Sequence, residues 1–180
     1  MLQTSYAQLV IFVSILWILA RLFVNIRQKN ICWKRELQLL LVYVCIVVVL
    51  RFTCFPFSKV DGKVQPMFLD LTHQNPIRFN LLPLVYLTDY PTRSEILLNI
   101  IGNTTMFLPI GIVLPVVYKG LNTHLKAIAA GIGFSLCIEI FQLWIFDRVS
   151  DVDDLILNTL GYLAGYGILC LVRFCKKRKV

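Results

Sequence analysis

Apolar residues run along this chain in five long blocks, roughly 4–26, 36–57, 95–118, 124–146 and 154–174. Each is long enough to cross a bilayer, since a helix needs about 20 mostly apolar residues to span the hydrocarbon core. The pattern predicts an all-α polytopic membrane helix bundle of five transmembrane helices. Short polar connections join most of the blocks. The long one, 58–94, holds four of the seven prolines: Pro66, Pro76, Pro83 and Pro91. The first block has no basic residue before Arg21 and is too long for the apolar part of a signal peptide, so a retained helix is expected there.

Composition agrees with lipid as the solvent. Hydrophobic residues make up 58% and charged residues 16% of the 180 positions. A soluble domain is nearer 45–50% apolar and about 25% charged. Disorder is excluded as well, because a disordered chain is poor in apolar residues.

The net charge of +8 is informative through its distribution. Arg21, Arg27, Lys29, Lys34 and Arg35 lie around the first connection, and Lys119 and Lys126 around the third. Arg173, Lys176, Lys177, Arg178 and Lys179 close the chain. With five spans these segments share one side, and Glu36 is their single acid. The positive-inside rule assigns them to the cytoplasm. The N-terminus is then expected outside and the C-terminus in the cytoplasm. The other side receives 58–94 and 147–153, with most of the aspartates. Scattered basic residues beside a membrane suit anionic lipid, and no nucleic-acid-binding motif accompanies them. The six cysteines offer neither a CxxC pair nor a disulfide partner on the outer side.

Ionisable and amide side chains at membrane depth are costly and tend to face the bundle interior. Arg51 stands near the outer end of the second span. Glu95, Asn99 and Asn103 recur at i, i+4 and i+8 at the outer start of the third, on one helix face. Glu139 and Gln142 share a face at the outer end of the fourth. Arg148 and the Asp151-Val152-Asp153-Asp154 run follow, and Asn158 lies one turn after Asp154. All belong to the outer half of the membrane. Arg51, Asn99, Asn103, Glu139, Gln142, Arg148, Asp151, Asp154 and Asn158 are therefore expected to converge in one polar pocket. The loop stretch Arg78–Tyr86, containing Asn80, is apolar enough to cover it as a re-entrant lid.

Each feature also has a structural reading. The asparagines can serve as interhelical hydrogen-bond donors and acceptors. Glu139 can pair with Arg51 or Arg148. Asp151 and Asp153 suit a helix start. Gly161 and Gly165 form a small-xxx-small face for close helix packing. Pro109 and Pro115 suggest kinks in the third span.

These motifs resemble a known family. Asn99-Ile-Ile-Gly-Asn103-Thr-Thr-Met-Phe107-Leu-Pro109-Ile-Gly111 is similar to the N-x-x-x-N…F-x-P-x-G span of VanZ-like membrane proteins. Glu139-Ile-Phe-Gln142, Arg148 and Asp151-Val-Asp153-Asp154-Leu-Ile-Leu-Asn158-Thr-Leu-Gly161 resemble that family's E-x-x-Q…R…D-x-D-D-x-x-x-N-x-x-G signature. Asn80-Leu81-Leu82-Pro83 resembles its N-L-I-P loop, and Arg51 with Phe55-Pro56 the close of its preceding span. The likeness covers about 36–172, in family order, and leaves out the first span and the tail. It implies a multi-pass protein of the bacterial cytoplasmic membrane, in a family associated with resistance to the glycopeptide teicoplanin more than to vancomycin.

Three segments are expected: 1–35, a first helix and basic connection; 36–175, a VanZ-like membrane domain; and 176–180, a basic tail. The first functional expectation is an envelope protein whose outer pocket, Asn80 included, binds a lipid or lipid-linked cell-wall headgroup. The arginines would meet phosphate, and the amides sugar or peptide groups. The alternative is an intramembrane enzyme on a lipid-linked substrate. There Glu139 would be the candidate acid or base, and Asp151 and Asp154, with or without Glu139, would offer oxygen ligands to a hard cation such as Mg²⁺. The sequence identifies no cofactor and leaves the oligomeric state open. Against catalysis stand the missing Ser/His and Cys/His pairs and a carboxylate spacing diagnostic of no metal enzyme.

Overall fold

The computed structural model describes residues 1–29, 31–55, 59–60, 62–70, 78–83, 92–146 and 148–178. Five helices form where the apolar blocks predict them: α1 (Tyr6–Gln28), α2 (Trp33–Cys54), α3 (Arg93–Val117), α4 (His124–Gln142) and α5 (Val152–Lys177). All five are long and apolar enough to cross a membrane. Local chemistry fixes most of their starts. Ser5 and Gln8 form a reciprocal capping box before α1. Thr92, Thr123 and Asp151 each accept a first-turn backbone N–H through the side chain.

Two ends fall short of the apolar block, for different reasons. The second helix stops at Cys54 because Phe55, which precedes a proline, is extended at φ −119°, ψ 148°. The fourth stops at Gln142 although residues 143–146 remain apolar. There Asp70 N–H donates to Trp144 O at 2.9 Å and Phe146 N–H to Phe68 O at 2.8 Å. Backbone pairing with a strand replaces the helical ladder.

Short strands were not part of the expectation. Strand β1 (Leu2–Thr4) pairs antiparallel with β4 (Met67–Leu69), and β2 (Lys59–Val60) with β3 (Lys63–Val64). Strand β5 (Phe79–Asn80) runs parallel to β6 (Ser150–Asp151). The first and third pairs tie the long connection to the bundle end where α1, α3 and α5 begin, called here the loop end.

The tightest seam joins α3 and α5. Gly161 and Gly165 form it as the small-xxx-small spacing predicts. A Cβ on Gly161 would overlap the Thr104 carbonyl oxygen, and one on Gly165 the Leu108 carbonyl oxygen. Around this seam Val49, Phe107, Ile110, Ala127 and Tyr162 are fully buried, joining α2, α3, α4 and α5 into one core. A second cluster, Leu9, Cys54, Phe55, Met67 and Ile145, packs under the strands at the loop end.

Helix α1 lies at the periphery. It exposes Ile11, Phe12, Ile15, Leu19, Leu22 and Phe23, as a lipid-facing helix does. It meets α2 through Ser14 and the Tyr43 hydroxyl at 2.6 Å, and through Arg21 with Glu36. At the opposite, basic end, Arg35 donates to the Val117 carbonyl and Arg173 to the Pro115 carbonyl. These contacts satisfy carbonyls that the end of α3 leaves without helical partners.

Candidate functional site

The polar residues expected to converge all sit at the loop end, and the bundle sorts them into linked groups. One group is built on α4 and the start of α5. Glu139, 4% exposed, accepts with Oε2 from the Ser150 hydroxyl and from the Asp151 N–H, each at 3.1 Å. Asp151 caps α5 by accepting from Asp153 N–H at 2.9 Å with Oδ1, and the same oxygen accepts from Asn80 Nδ2 at 3.0 Å. Asn80 is buried. Its amide also closes a local turn, donating to Leu82 O and accepting from Leu82 N–H. The β5–β6 pairing explains this approach, because it sets Asn80 opposite Asp151 in register.

A second group spans the α3–α5 seam. Asn103 Nδ2 donates to Asn99 Oδ1 at 3.2 Å and to Asp154 Oδ1. The i, i+4 spacing aligns the two asparagines on one face of α3, and the glycine seam brings that face to Asp154. Glu95, one turn earlier, is exposed and stays outside the group.

A third set anchors the end of α2. Gln142 Nε2 donates to Thr53 O at 2.8 Å, and Arg148 to Phe55 O at 3.1 Å. These carbonyls belong to the last turn and cap of α2. Arg51 lies on the α1 side of the site, its guanidinium 5.9 Å from the Tyr6 ring centroid and 5.6 Å from that of Phe52. The expected structural pairing of Glu139 with Arg51 or Arg148 is thus not how Glu139 is held. The hydroxyl and amide of the 150–151 segment hold it instead.

Four buried polar atoms have no hydrogen-bond partner among the described residues: Glu139 Oε1, Gln142 Oε1, Asn158 Oδ1 and the Tyr162 hydroxyl. Gln142 Oε1 and Asn158 Oδ1 are pure acceptors, and Glu139 Oε1 is one when the carboxyl is ionised. Asn158 is 1% exposed, so water does not reach it freely. Burying such groups without partners is costly, so each is a place where a polar group from outside the chain, ordered water included, can be held. Asp154, Asn158 and Tyr162 repeat every four residues on α5, which packs against α4 through the Ser135 hydroxyl donating to the Leu155 carbonyl at 3.5 Å and through Tyr162 at Gly131. There the Tyr162 ring fills the space a Cβ on Gly131 would take.

Sequence reasoning missed Ser150 and Tyr162. Tyr162 carried a signal, being four residues beyond Asn158 on the same face. Ser150 carried none, since its role depends on a loop crossing the end of α4. The described part of the expected lid, 78–83, lies against Asp151, while 84–86 fall outside the described residues. Among the described residues no three His, Cys, Asp or Glu side chains stand close enough to share a metal ion.

A family model described as VanZ/LLP1 matches residues 39–173. No curated protein and no solved structure matches the chain.

Proposed function

The chain belongs to the VanZ/LLP1 family, and from that premise we propose that its loop-end polar cluster binds a lipid or lipid-linked cell-wall headgroup at the outer leaflet of the bacterial cytoplasmic membrane. The observation that carries this reading is the set of buried unpartnered acceptors, Glu139 Oε1, Gln142 Oε1 and Asn158 Oδ1, at the end bearing the long connection. They ask for a ligand rich in hydroxyl, amide or ammonium donors, such as a sugar, peptide or amine headgroup. Arg148 spends one N–H on Phe55 O and retains others, since a guanidinium carries five. It would meet a phosphate. The basic residues at the opposite end support the outward orientation by the positive-inside rule.

The connection to teicoplanin follows from the same placement. A glycopeptide carrying a lipid tail concentrates at the membrane surface, where a protein holding a lipid-linked precursor would shield it. The alternative, an intramembrane enzyme with Glu139 as acid or base, draws on the same carboxylate. In that reading the free Oε1 would move the proton while Oε2 stays held by Ser150 and Asp151.

Teicoplanin and vancomycin susceptibility of a sensitive bacterium expressing the chain tests the reading. Wild type is expected to protect against teicoplanin more than vancomycin. Arg148→Ala and Asp154→Asn are expected to lose that protection at equal membrane abundance. Undiminished protection in both variants would refute a working site at the loop end. No protection from well-expressed wild type would detach the cluster from glycopeptides.

A further inference from the structure

At the basic end a cavity of about 540 Å³ opens between the start of α2 and the end of α3. Lys34, Arg35 and Lys119 line it, with Gln38, Cys32 and Val116. Among the described residues, no carboxylate lines it. Glu36, next in sequence to Arg35, is held by Arg21 across the α1–α2 contact, with Nε–Oε2 at 3.0 Å. Arg35 is anchored by its bond to the Val117 carbonyl and lies over the Tyr118 ring at 5.5 Å, so its charge has a fixed position. Lys34 and Lys119 are exposed at the cavity rim.

The surface leading from the cavity is apolar. From Lys34, residues Leu37, Leu41, Val44 and Val48 follow at helical spacing along one stripe of α2, exposed by 63%, 51%, 47% and 40%. That stripe runs into the hydrocarbon depth of the bundle. A cationic cavity at the interface continued by an exposed apolar track matches a lipid with an anionic phosphate head and acyl chains.

We propose that this cavity is a binding site for a phosphate group, carried by an anionic phospholipid whose chains lie along the Leu37–Val48 stripe. Lys34 and Lys119 supply charge, Arg35 a fixed guanidinium and Gln38 an amide donor. The site is separate from the loop-end cluster and does not depend on the function proposed for it.

Native mass spectrometry of the full chain in neutral detergent tests the proposal. The probes are dioctanoyl phosphatidylglycerol, dioctanoyl phosphatidylcholine and inorganic phosphate. One saturable phosphatidylglycerol per chain is expected, bound more tightly than phosphatidylcholine. Lys34→Ala/Lys119→Ala is expected to weaken it about twenty-five-fold, each lysine beside the anionic phosphate contributing roughly a fivefold factor. The control Lys126→Ala/Lys177→Ala removes the same charge from the same end, outside the cavity, and should leave binding within about twofold. Equal weakening in test and control variants would show diffuse attraction and overturn the proposal, as would unchanged binding in the test variant. Inorganic phosphate binding as tightly, with the same dependence on Lys34 and Lys119, would support the phosphate site and overturn the lipid as its source.

Discussion

Gly161→Val is expected to cost the folded chain about 3 kcal/mol or more, at the upper end of what overpacking does. The Cβ has nowhere to go. It would overlap the carbonyl oxygen of Thr104, a backbone atom in the middle of α3. A flexible side chain could swing away, but helix backbone moves only by separating α3 from α5. That separation would open the core around Phe107, Ile110 and Tyr162 and carry Asp154 away from Asn103. The readout is the thermal midpoint in mild detergent, alongside membrane abundance. Gly133→Ala and Gly167→Ala are the controls, because a Cβ at either position meets nothing within 4 Å. Both should equal wild type or exceed it slightly, as alanine is the better helix former. A Gly161→Val midpoint within error of these controls would mean that the α3–α5 seam is looser than described.

The second large effect is expected at Glu139. Replacing it with leucine leaves the Asp151 N–H and the Ser150 hydroxyl, both part-buried, without their acceptor, costing roughly 1–2 kcal/mol, since water reaches part-buried donors in part. The 150–151 segment would loosen from α4, and with it the Asn80–Asp151 contact that fastens the long connection. Glu139→Gln is the discriminating variant. It keeps one acceptor oxygen and nearly the same volume, so its abundance and thermal midpoint should stay close to wild type. It replaces an ionisable carboxyl with an amide that cannot exchange a proton, and any protection against teicoplanin is expected to fall with it. Wild-type protection by the glutamine variant, with loss in the leucine variant, would reduce Glu139 to a structural post for the loop.

Much of this was legible along the chain. The five helices follow from apolar length alone, because hydrocarbon admits a span only when its backbone bonds to itself. The seam at Gly161 and Gly165 follows from spacing, since only small residues let two backbones touch. The depth shared by Asn99, Asn103, Glu139, Asp154 and Asn158 follows from counting residues along each span. The capping role of Asp151 was readable too, as the first of three aspartates that open the last apolar block.

The partners of those side chains were not legible. Glu139 had two arginines within plausible reach by depth, and the fold gave it a serine and a backbone amide instead. What decided this was the 150–151 segment, which crosses the end of α4 because β5 pairs with β6. Two-residue strands leave no periodic trace in a sequence. The early end of α4 has the same origin, since residues 143–146 are as apolar as a helix needs and are taken up by pairing with Phe68, Leu69 and Asp70.

The sequence by itself determined which segments lie in lipid, which residues share a helix face and at what depth the polar groups stand. Those are properties of one helix and its solvent, fixed by local periodicity and transfer free energy. Only the tertiary structure decided which faces meet, which donor satisfies which acceptor and which acceptors remain for a ligand. Those choices arise from contacts between segments distant in the chain, where an ångström of helix approach at a glycine, or one strand pair in a loop, selects the partner.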